Sequence, residues 1–194
     1  MDDEVKEAVR KYKSDKRYTY ADYASWNDDN RYELIDGVAY MMSAPSTEHQ
    51  RILGKLYVLI ANYLDGKQCE VFLSPFDVCI NGKGDSDDTV VQPDILVICD
   101  DSILDEKRCN GAPDMTIEIL SPSTSSRDRI KKLNKYLQAG VREYWIVDPE
   151  TKDVAVHILE NGKYTINVYE YDDLISISIF KDCEIALRDV FTAP

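Results

Sequence analysis

The feature that most constrains the fold is a strand–helix–strand unit in the middle of the chain. Apolar runs at Met115–Leu120 and Glu143–Asp148 flank the stretch Ser126–Ala139, whose apolar residues have helical spacing. Two strands of one sheet that are joined by a crossover helix run parallel, and such connections are right-handed. The unit therefore predicts an α/β fold with a parallel strand pair at its centre.

Turn signals place hairpins on both sides of this unit. Asp36-Gly37 divides RYELIDGVAYMM, and Asn161-Gly162 joins DVAVHIL to KYTINVYEY. Both dipeptides are typical of two-residue hairpin turns. The segment VVQPDILVICD, residues 90–100, is apolar almost throughout and is predicted to form one buried strand.

A long helix is the clearest local prediction. In APSTEHQRILGKLYVLIANYLDG, apolar residues form one helical stripe, and Gly66 ends it. Thr47 and Gln50 have the spacing of a capping box at its start. Together the elements indicate a mixed sheet with flanking helices and added hairpins. We expect one domain over residues 1–194, with residues 1–18 as an N-terminal helical extension.

The composition limits the possible functions. The net charge of −13 argues against nucleic-acid binding by the whole surface, but it permits a local basic patch or an acidic metal site. The sequence contains neither a membrane-length apolar window nor the apolar core of a signal peptide. Five cysteines without a C-x-x-C pair predict small buried thiols in a reducing compartment. The expected location is the cytoplasm.

Two acids are expected to meet at one edge of the sheet. Asp94 lies near the start of its predicted strand, directly after Pro93, and Glu118 lies near the end of the next strand. If the two strands pair antiparallel, their carboxylates converge, and a divalent cation with oxygen ligands would relieve the repulsion. The sequence thus predicts a site for Mg²⁺ or Mn²⁺ at Asp94 and Glu118. Taken alone, Asp94 fits a turn cap equally well.

Several motifs resemble one known family. YELIDG, APSTEH, VVQPDILV, IEILSPST, DRIKKLNKYLQAGVREYWIVDP and LRDVF occur in this order and are similar to motifs of the bacterial Uma-two family. That family belongs to the PD-(D/E)XK nuclease superfamily, and its members are labelled restriction endonucleases. The resemblance covers roughly residues 19–191. It implies a restriction-endonuclease-like core and metal-dependent cleavage of DNA.

The chain departs from the superfamily pattern at one position. A lysine is expected two residues after Glu118, where this chain has Leu120. The resemblance implies that the lysine has moved to the following helix, where Asp128, Lys132 and Tyr136 are spaced four residues apart. Periodicity alone does not choose between Lys131 and Lys132, and the D-x-x-x-K spacing of the family favours Lys132. We expect Lys132→Ala to abolish cleavage while folding and metal binding stay almost intact. For a helix without the resemblance, an exposed pair with Asp128 would be the better explanation of Lys132.

Other residues are assigned by the resemblance or by charge. The resemblance places Glu33 and His49 near the site as supporting residues. Without it, Glu33 would be a solvent-facing strand residue, and a histidine at a helix start is more often a surface or packing residue. Arg127, Arg129 and Lys131 form a candidate phosphate-binding patch on an acidic protein, and a solvated helix face is the alternative. His157 alternates with apolar residues on a late strand and is expected to be exposed.

These observations lead to a first hypothesis and two rivals. The first is a Mg²⁺-dependent phosphodiesterase acting on DNA, in which Asp94, Glu118 and Lys132 are catalytic. The second is an inactive nuclease-fold module that binds nucleic acid or protein, and the third is a hydrolase of small phosphate esters. We also expect a homo-oligomer, because the late strands leave an apolar edge that a partner could cover.

Overall fold

The computed structural model of the chain describes residues 16–121 and 126–192, with side chains omitted for 126–129. The helix expected near the N-terminus lies outside this range, as does most of the extension predicted for residues 1–18. Four α-helices lie in the described part: α1, Tyr20–Ala24; α2, Thr47–Leu64; α3, Ser126–Ala139; and α4, Leu187–Phe191.

The thirteen strands of the described ranges form two large sheets and one small sheet. In chain order they are β1 Tyr32–Ile35, β2 Val38–Met41, β3 Glu70–Leu73, β4 Asp77–Cys79, β5 Val90–Val91, β6 Ile95–Ile98, β7 Arg108–Cys109, β8 Met115–Ile119, β9 Glu143–Asp148, β10 Asp153–Glu160, β11 Lys163–Tyr169, β12 Leu174–Ser176 and β13 Glu184–Ala186. The mixed architecture confirms the predicted fold class.

The larger sheet has six strands in the order β11-β10-β9-β8-β6-β3. The pair β8 and β9 is parallel, as the crossover unit predicts, and α3 connects the two strands. The other neighbours are antiparallel. Asn161 and Gly162 have φ of 51° and 76°, the left-handed conformation that a type I′ turn requires. This confirms the late hairpin.

The second sheet has five strands in the order β2-β1-β5-β4-β7. Its first two strands form the predicted hairpin, with Asp36 and Gly37 at φ of 52° and 71°. The single strand predicted over residues 90–100 was wrong, because β5 belongs to this sheet and β6 to the larger one. Both halves are buried and apolar, so hydrophobicity gives no sign of the break. The chain crosses between the sheets at Gln92-Pro93-Asp94.

The larger sheet is covered on both faces. Ile95, Ile117 and Ile119 pack in one apolar cluster with buried residues of α2, including Leu56 and Ile60. On the other face, Leu96 and Ile98 pack with Tyr136 of α3 and Tyr144 of β9. Successive strand residues point to opposite faces, so Glu118 lies on the α3 side between two core isoleucines. An acid at this position is enclosed by the fold.

Helix α2 begins one residue from the predicted cap. Its N-cap is Ser46, whose hydroxyl accepts a hydrogen bond from the backbone N–H of His49, so the capping box of Thr47 and Gln50 was wrong. Adjacent Ser and Thr offer the same capping group, and the sequence does not choose between them. The cap places His49 in the first turn, with its ring buried.

The prediction for the cysteines was wrong in one pair. Cys69 and Cys99 form a disulfide, while Cys79, Cys109 and Cys183 are free and buried. The antiparallel register of β3 and β6 pairs residue 70 with residue 98, so the two cysteines lie opposite each other just beyond the ladder. Their pairing depends on a strand register that sequence spacing does not reveal.

None of the helices in the described ranges is long and apolar enough to span a membrane.

Candidate active site

A cavity of about 380 Å³ lies where the two large sheets meet. Its wall combines the β1–β2 hairpin, the start of α2, the chain crossing before β6, the end of β8 and one lysine of α3. The wall contains carboxylates, one histidine and one lysine beside apolar residues. The residues that line the cavity are Arg31, Glu33, Ile35, Tyr40, Met41, Met42, Ser43, Pro45, His49, Gln50, Leu53, Ser74, Gln92, Asp94, Glu118, Ile119, Leu120, Ser121, Lys132 and Tyr144.

Asp94 is held between a strand and a helix. Its Oδ2 atom accepts the backbone N–H of Ile119 at 2.8 Å and lies 3.1 Å from Nε2 of His49. The first contact fixes the carboxylate against β8, and the second ties it to α2. Strands β6 and β8 pair residue 95 with residue 117, so one further step places Asp94 opposite Glu118. The antiparallel pairing expected from the sequence is present.

Glu118 and Lys132 form a buried ion cluster with Glu33. Nζ of Lys132 lies 2.9 Å from Oε1 of Glu118 and 2.7 Å from Oε1 of Glu33. The hydroxyl of Tyr136 donates to the same Glu118 oxygen at 2.7 Å. The backbone N–H of Gln92 donates to Oε1 of Glu33 at 2.8 Å. Lys132 therefore joins an acid of the five-stranded sheet to an acid of the six-stranded sheet.

Burial and charge shift the ionisation of this cluster. Burial raises the pKa of Glu118 to about 7, although Lys132 acts in the opposite direction, and the charges of Asp94 and Glu33 raise it further. Burial alone would lower the pKa of Lys132, but Glu118 and then Glu33 outweigh it and raise that pKa above its ordinary value. Burial and the Glu118 charge raise the pKa of the Tyr136 hydroxyl, so it stays protonated as a donor.

The donor set fits a hard divalent cation held by two carboxylates. Oδ2 of Asp94 and Oε1 of Glu118 are engaged, whereas their second oxygens, Oδ1 and Oε2, accept no hydrogen bond from a described residue. Mg²⁺ commonly binds through one or two carboxylates and completes its shell with water and substrate phosphate. Within the described ranges, no group of three or more His, Cys, Asp or Glu side chains could hold a metal ion. An ion at this place would have two protein carboxylates and would take its other ligands from water or substrate.

The three lysines of α3 have different partners. Lys132 contacts the acids, Lys131 donates from Nζ to the hydroxyl of Tyr40, and Lys135 pairs with Asp36 at the exposed hairpin turn. The structure does not describe the side chains of Arg127, Asp128 and Arg129. The basic patch predicted there therefore remains a prediction, with Lys131 as its only described member.

His157 was wrongly expected to be exposed. Its side chain is buried, with the rings of Tyr144 and Tyr164 at centroid distances of 5.5 and 5.7 Å. The alternation along β10 correctly assigns His157 to one face of the sheet, but both faces of the sheet are covered at this strand. His157 is absent from the cavity wall.

Sequence reasoning missed several residues of the cavity wall. The backbone N–H of Gln92 donates to Glu33, and Tyr40, Tyr144 and Arg31 line the cavity. A signal for part of this set was present. Alternate residues of an extended chain point to the same face, and Arg31 lies two positions before Glu33. A cavity contact of Glu33 therefore predicts one for Arg31.

The fold and the site together define a class of protein. A mixed sheet with a parallel crossover, an acid after a Pro, a second acid on the adjacent strand and a lysine beside it are the features of a restriction-endonuclease-like nuclease fold. The chain belongs to the Uma2 family, because residues 19–188 match the model described as "Putative restriction endonuclease". This confirms the resemblance.

The chain is similar to two further proteins. The chain is 28% identical over 160 residues to an uncharacterized protein of Synechocystis sp., covering 80% of this chain and 82% of the relative. It is also similar to the crystal structure of a "putative nuclease belonging to DUF820" from Anabaena variabilis, with a TM-score of 0.73 and 23% identity. That match covers 89% of this chain and 97% of the other, and it shows a shared fold.

Proposed function

We propose that the protein is a divalent-metal-dependent endonuclease that hydrolyses phosphodiester bonds of DNA. The observation that carries the proposal is the cavity lined by Asp94, Glu118 and Lys132, in which one oxygen of each acid accepts no hydrogen bond from a described residue and the Lys132 ammonium lies against Glu118. Membership in a family described as restriction endonucleases supports the choice of reaction and substrate.

Asp94 and Glu118 would hold the cation, Mg²⁺ or Mn²⁺, through their open oxygens. When bound, such an ion supplies charge to the phosphate and lowers the pKa of a water ligand. His49 and the backbone of Ile119 fix the orientation of Asp94. Tyr136 and Lys132 do the same for Glu118 from the other side. The protein thereby aims both acids into the cavity before a substrate arrives.

Lys132 supplies the positive charge that Leu120 lacks. A phosphodiester gains negative charge as water attacks, and a fixed ammonium stabilises that charge in a site that excludes bulk water. Oε1 of Glu33, on the five-stranded sheet, lies 2.7 Å from Nζ of Lys132. This ion pair keeps the lysine near Glu118 although the lysine belongs to α3 and not to β8. Glu33 is therefore a supporting residue, and Asp94, Glu118 and Lys132 form the catalytic set.

Two observations favour a different function. Lys132 is already engaged by two carboxylates, and the chain carries a net charge of −13. Such a cluster could serve stability alone in an inactive module that binds nucleic acid or protein. Metal binding and cleavage separate the two functions. Activity on nucleotides but not on DNA would instead favour a hydrolase of small phosphate esters.

The test combines calorimetry with a cleavage assay. We expect the wild type to bind Mn²⁺ or Mg²⁺ and to cut plasmid, linear duplex or single-stranded DNA. Asp94→Asn and Glu118→Gln should lose both properties. Asp172→Asn, a matched change at an exposed acid paired with Arg188, should retain both. Absence of metal binding and of cleavage in the wild type would reject the proposal and favour the inactive module.

A further inference from the structure

Arg31 is a fixed cation on the wall of the acidic cavity. It precedes β1 and lines the cavity with Glu33. Its guanidinium donates to Oε1 of Gln92 at 2.6 Å and to the hydroxyl of Ser74 at 2.8 Å. The Gln92 amide is itself oriented, because its Nε2 donates to Oδ1 of Asp77 at 2.8 Å and to the Tyr23 hydroxyl at 3.1 Å. Neutral acceptors therefore hold the arginine in place.

The charge of Arg31 is not neutralised by a direct partner. Within the described part of the chain, no carboxylate lies at ion-pair distance from it, whereas Arg51, Arg108, Arg142 and Arg188 each pair with an acid. This is notable in a protein with 36 acids and 23 bases. Nε and Nη2 of the guanidinium donate to Gln92 and Ser74, whereas Nη1 donates to no described residue, so Nη1 and the positive charge are available to an oxyanion.

The same hairpin supplies a surface for a flat apolar group. The backbone N–H of Met42 donates to the carbonyl of Arg31, and Glu33 pairs with Tyr40 across the hairpin. Because cross-strand partners share a face, Arg31 and Glu33 lie side by side with Met42 and Tyr40 on the cavity side. Nζ of Lys131 lies 4.8 Å from the centre of the Tyr40 ring and donates a hydrogen bond to the Tyr40 hydroxyl. These two contacts limit the movement of the Tyr40 ring.

We propose that Arg31 binds a phosphate of an unpaired DNA strand, next to the scissile phosphodiester, while a base of that strand lies against Tyr40 and Met42. This inference rests on the proposed function and names its substrate more closely. A base can enter a cavity only from a single strand or after extrusion from a duplex. An acidic surface with few basic contacts also suits a short strand segment better than the broad phosphate lattice of a duplex.

The experiment measures binding separately from cleavage. Fluorescence anisotropy follows a labelled oligodeoxynucleotide, single-stranded or annealed, with Ca²⁺ in place of Mg²⁺ and again in EDTA. Arg31→Gln should weaken single-strand binding by roughly tenfold or more, because a charge-assisted phosphate contact is lost. It should also reduce the slope of log affinity against log salt by about 0.7, the effect of one phosphate contact on a single strand. Arg31→Lys should keep the slope but recover only part of the affinity.

Arg188→Gln removes the same charge at an exposed position away from the cavity wall and should leave binding unchanged. The inference is overturned if Arg31→Gln binds like Arg188→Gln, if the duplex binds more tightly than the single strand, or if the wild type binds neither. Cleavage that does not depend on Arg31 would overturn it while the proposed endonuclease stands. Arg31-dependent binding of the single strand without any cleavage would support the phosphate contact of Arg31 and reject the endonuclease.

Discussion

Replacing Lys132 by methionine is expected to destabilise the fold as well as to stop cleavage. The ammonium lies 2.7 Å and 2.9 Å from two carboxylate oxygens, and the side chains of Lys132 and Glu118 are only 13% and 14% exposed. Removing one partner of a buried pair leaves an uncompensated charge, at a cost of about 3–5 kcal/mol. Methionine keeps most of the volume, so the loss reports charge and not a void.

Proton uptake limits this cost and makes it depend on pH. A carboxyl group with a raised native pKa holds a proton that the unfolded chain has released, so stability falls with rising pH by about 1.4 kcal/mol per unit in that window. In the wild type the window for Glu118 extends from its unfolded pKa to about 7. Without the ammonium its native pKa moves higher, and the decline continues above pH 7. The penalty of Lys132→Met should therefore grow between pH 7 and pH 9.

Urea unfolding in EDTA, followed by tryptophan fluorescence and circular dichroism at several pH values, measures this penalty. Lys135→Met is the matched control, because Lys135 pairs with the exposed Asp36 and should contribute about 0–1 kcal/mol. If Lys132→Met were as stable as Lys135→Met at pH 9, removal of the ammonium would leave no uncompensated charge on the buried carboxylates, which contradicts the reasoning. The sequence-based expectation that folding stays almost intact would then be the better one.

Further predictions concern buried groups away from the cavity and the sheet edge. Asp87→Ala should lower the free energy of unfolding by roughly 3 kcal/mol in urea titrations, because its buried carboxylate accepts four hydrogen bonds within the 81–89 loop. Burial lowers the pKa of His157, so the native state resists its protonation and stability falls as pH drops below about 6.5. His157→Phe should remove that part of the pH dependence, and an unchanged profile would contradict it. The wild type should sediment as a homo-oligomer and Val168→Lys, on the exposed edge strand β11, as a smaller species, whereas a monomeric wild type would count against this.

The elements with local chemical signals were predictable from the sequence. Asp36-Gly37 and Asn161-Gly162 define turns because few other dipeptides accept positive φ at both positions. The crossover unit follows from periodicity, and it determines which strands are parallel. The placement of Asp94 opposite Glu118 then follows from antiparallel pairing of adjacent strands. In each case the deciding interaction lies within a few residues or follows from a general rule of topology.

The wrong predictions share a different physical origin. The break at Gln92-Pro93-Asp94, the disulfide of Cys69 with Cys99 and the burial of His157 all depend on contacts between distant segments. A segment that is apolar on both faces has the same hydrophobic pattern whether it stays in one sheet or crosses to another. The choice of Ser46 over Thr47 as helix cap is a one-residue ambiguity between equivalent groups.

The crossing between sheets also explains why a lysine from α3 can replace one on β8. A side chain at position 120 would share the face of Glu118, but it would be tied to a single sheet. Lys132 instead reaches Glu118 on the six-stranded sheet and Glu33 on the five-stranded sheet, while Gln92, at the crossing itself, bonds Glu33 through its backbone. The charge at the site therefore also helps to hold the two sheets together. Local opening at the crossing should disorder the acids and the lysine together. A change that destabilises the junction of the two sheets should therefore also disturb the geometry of the site.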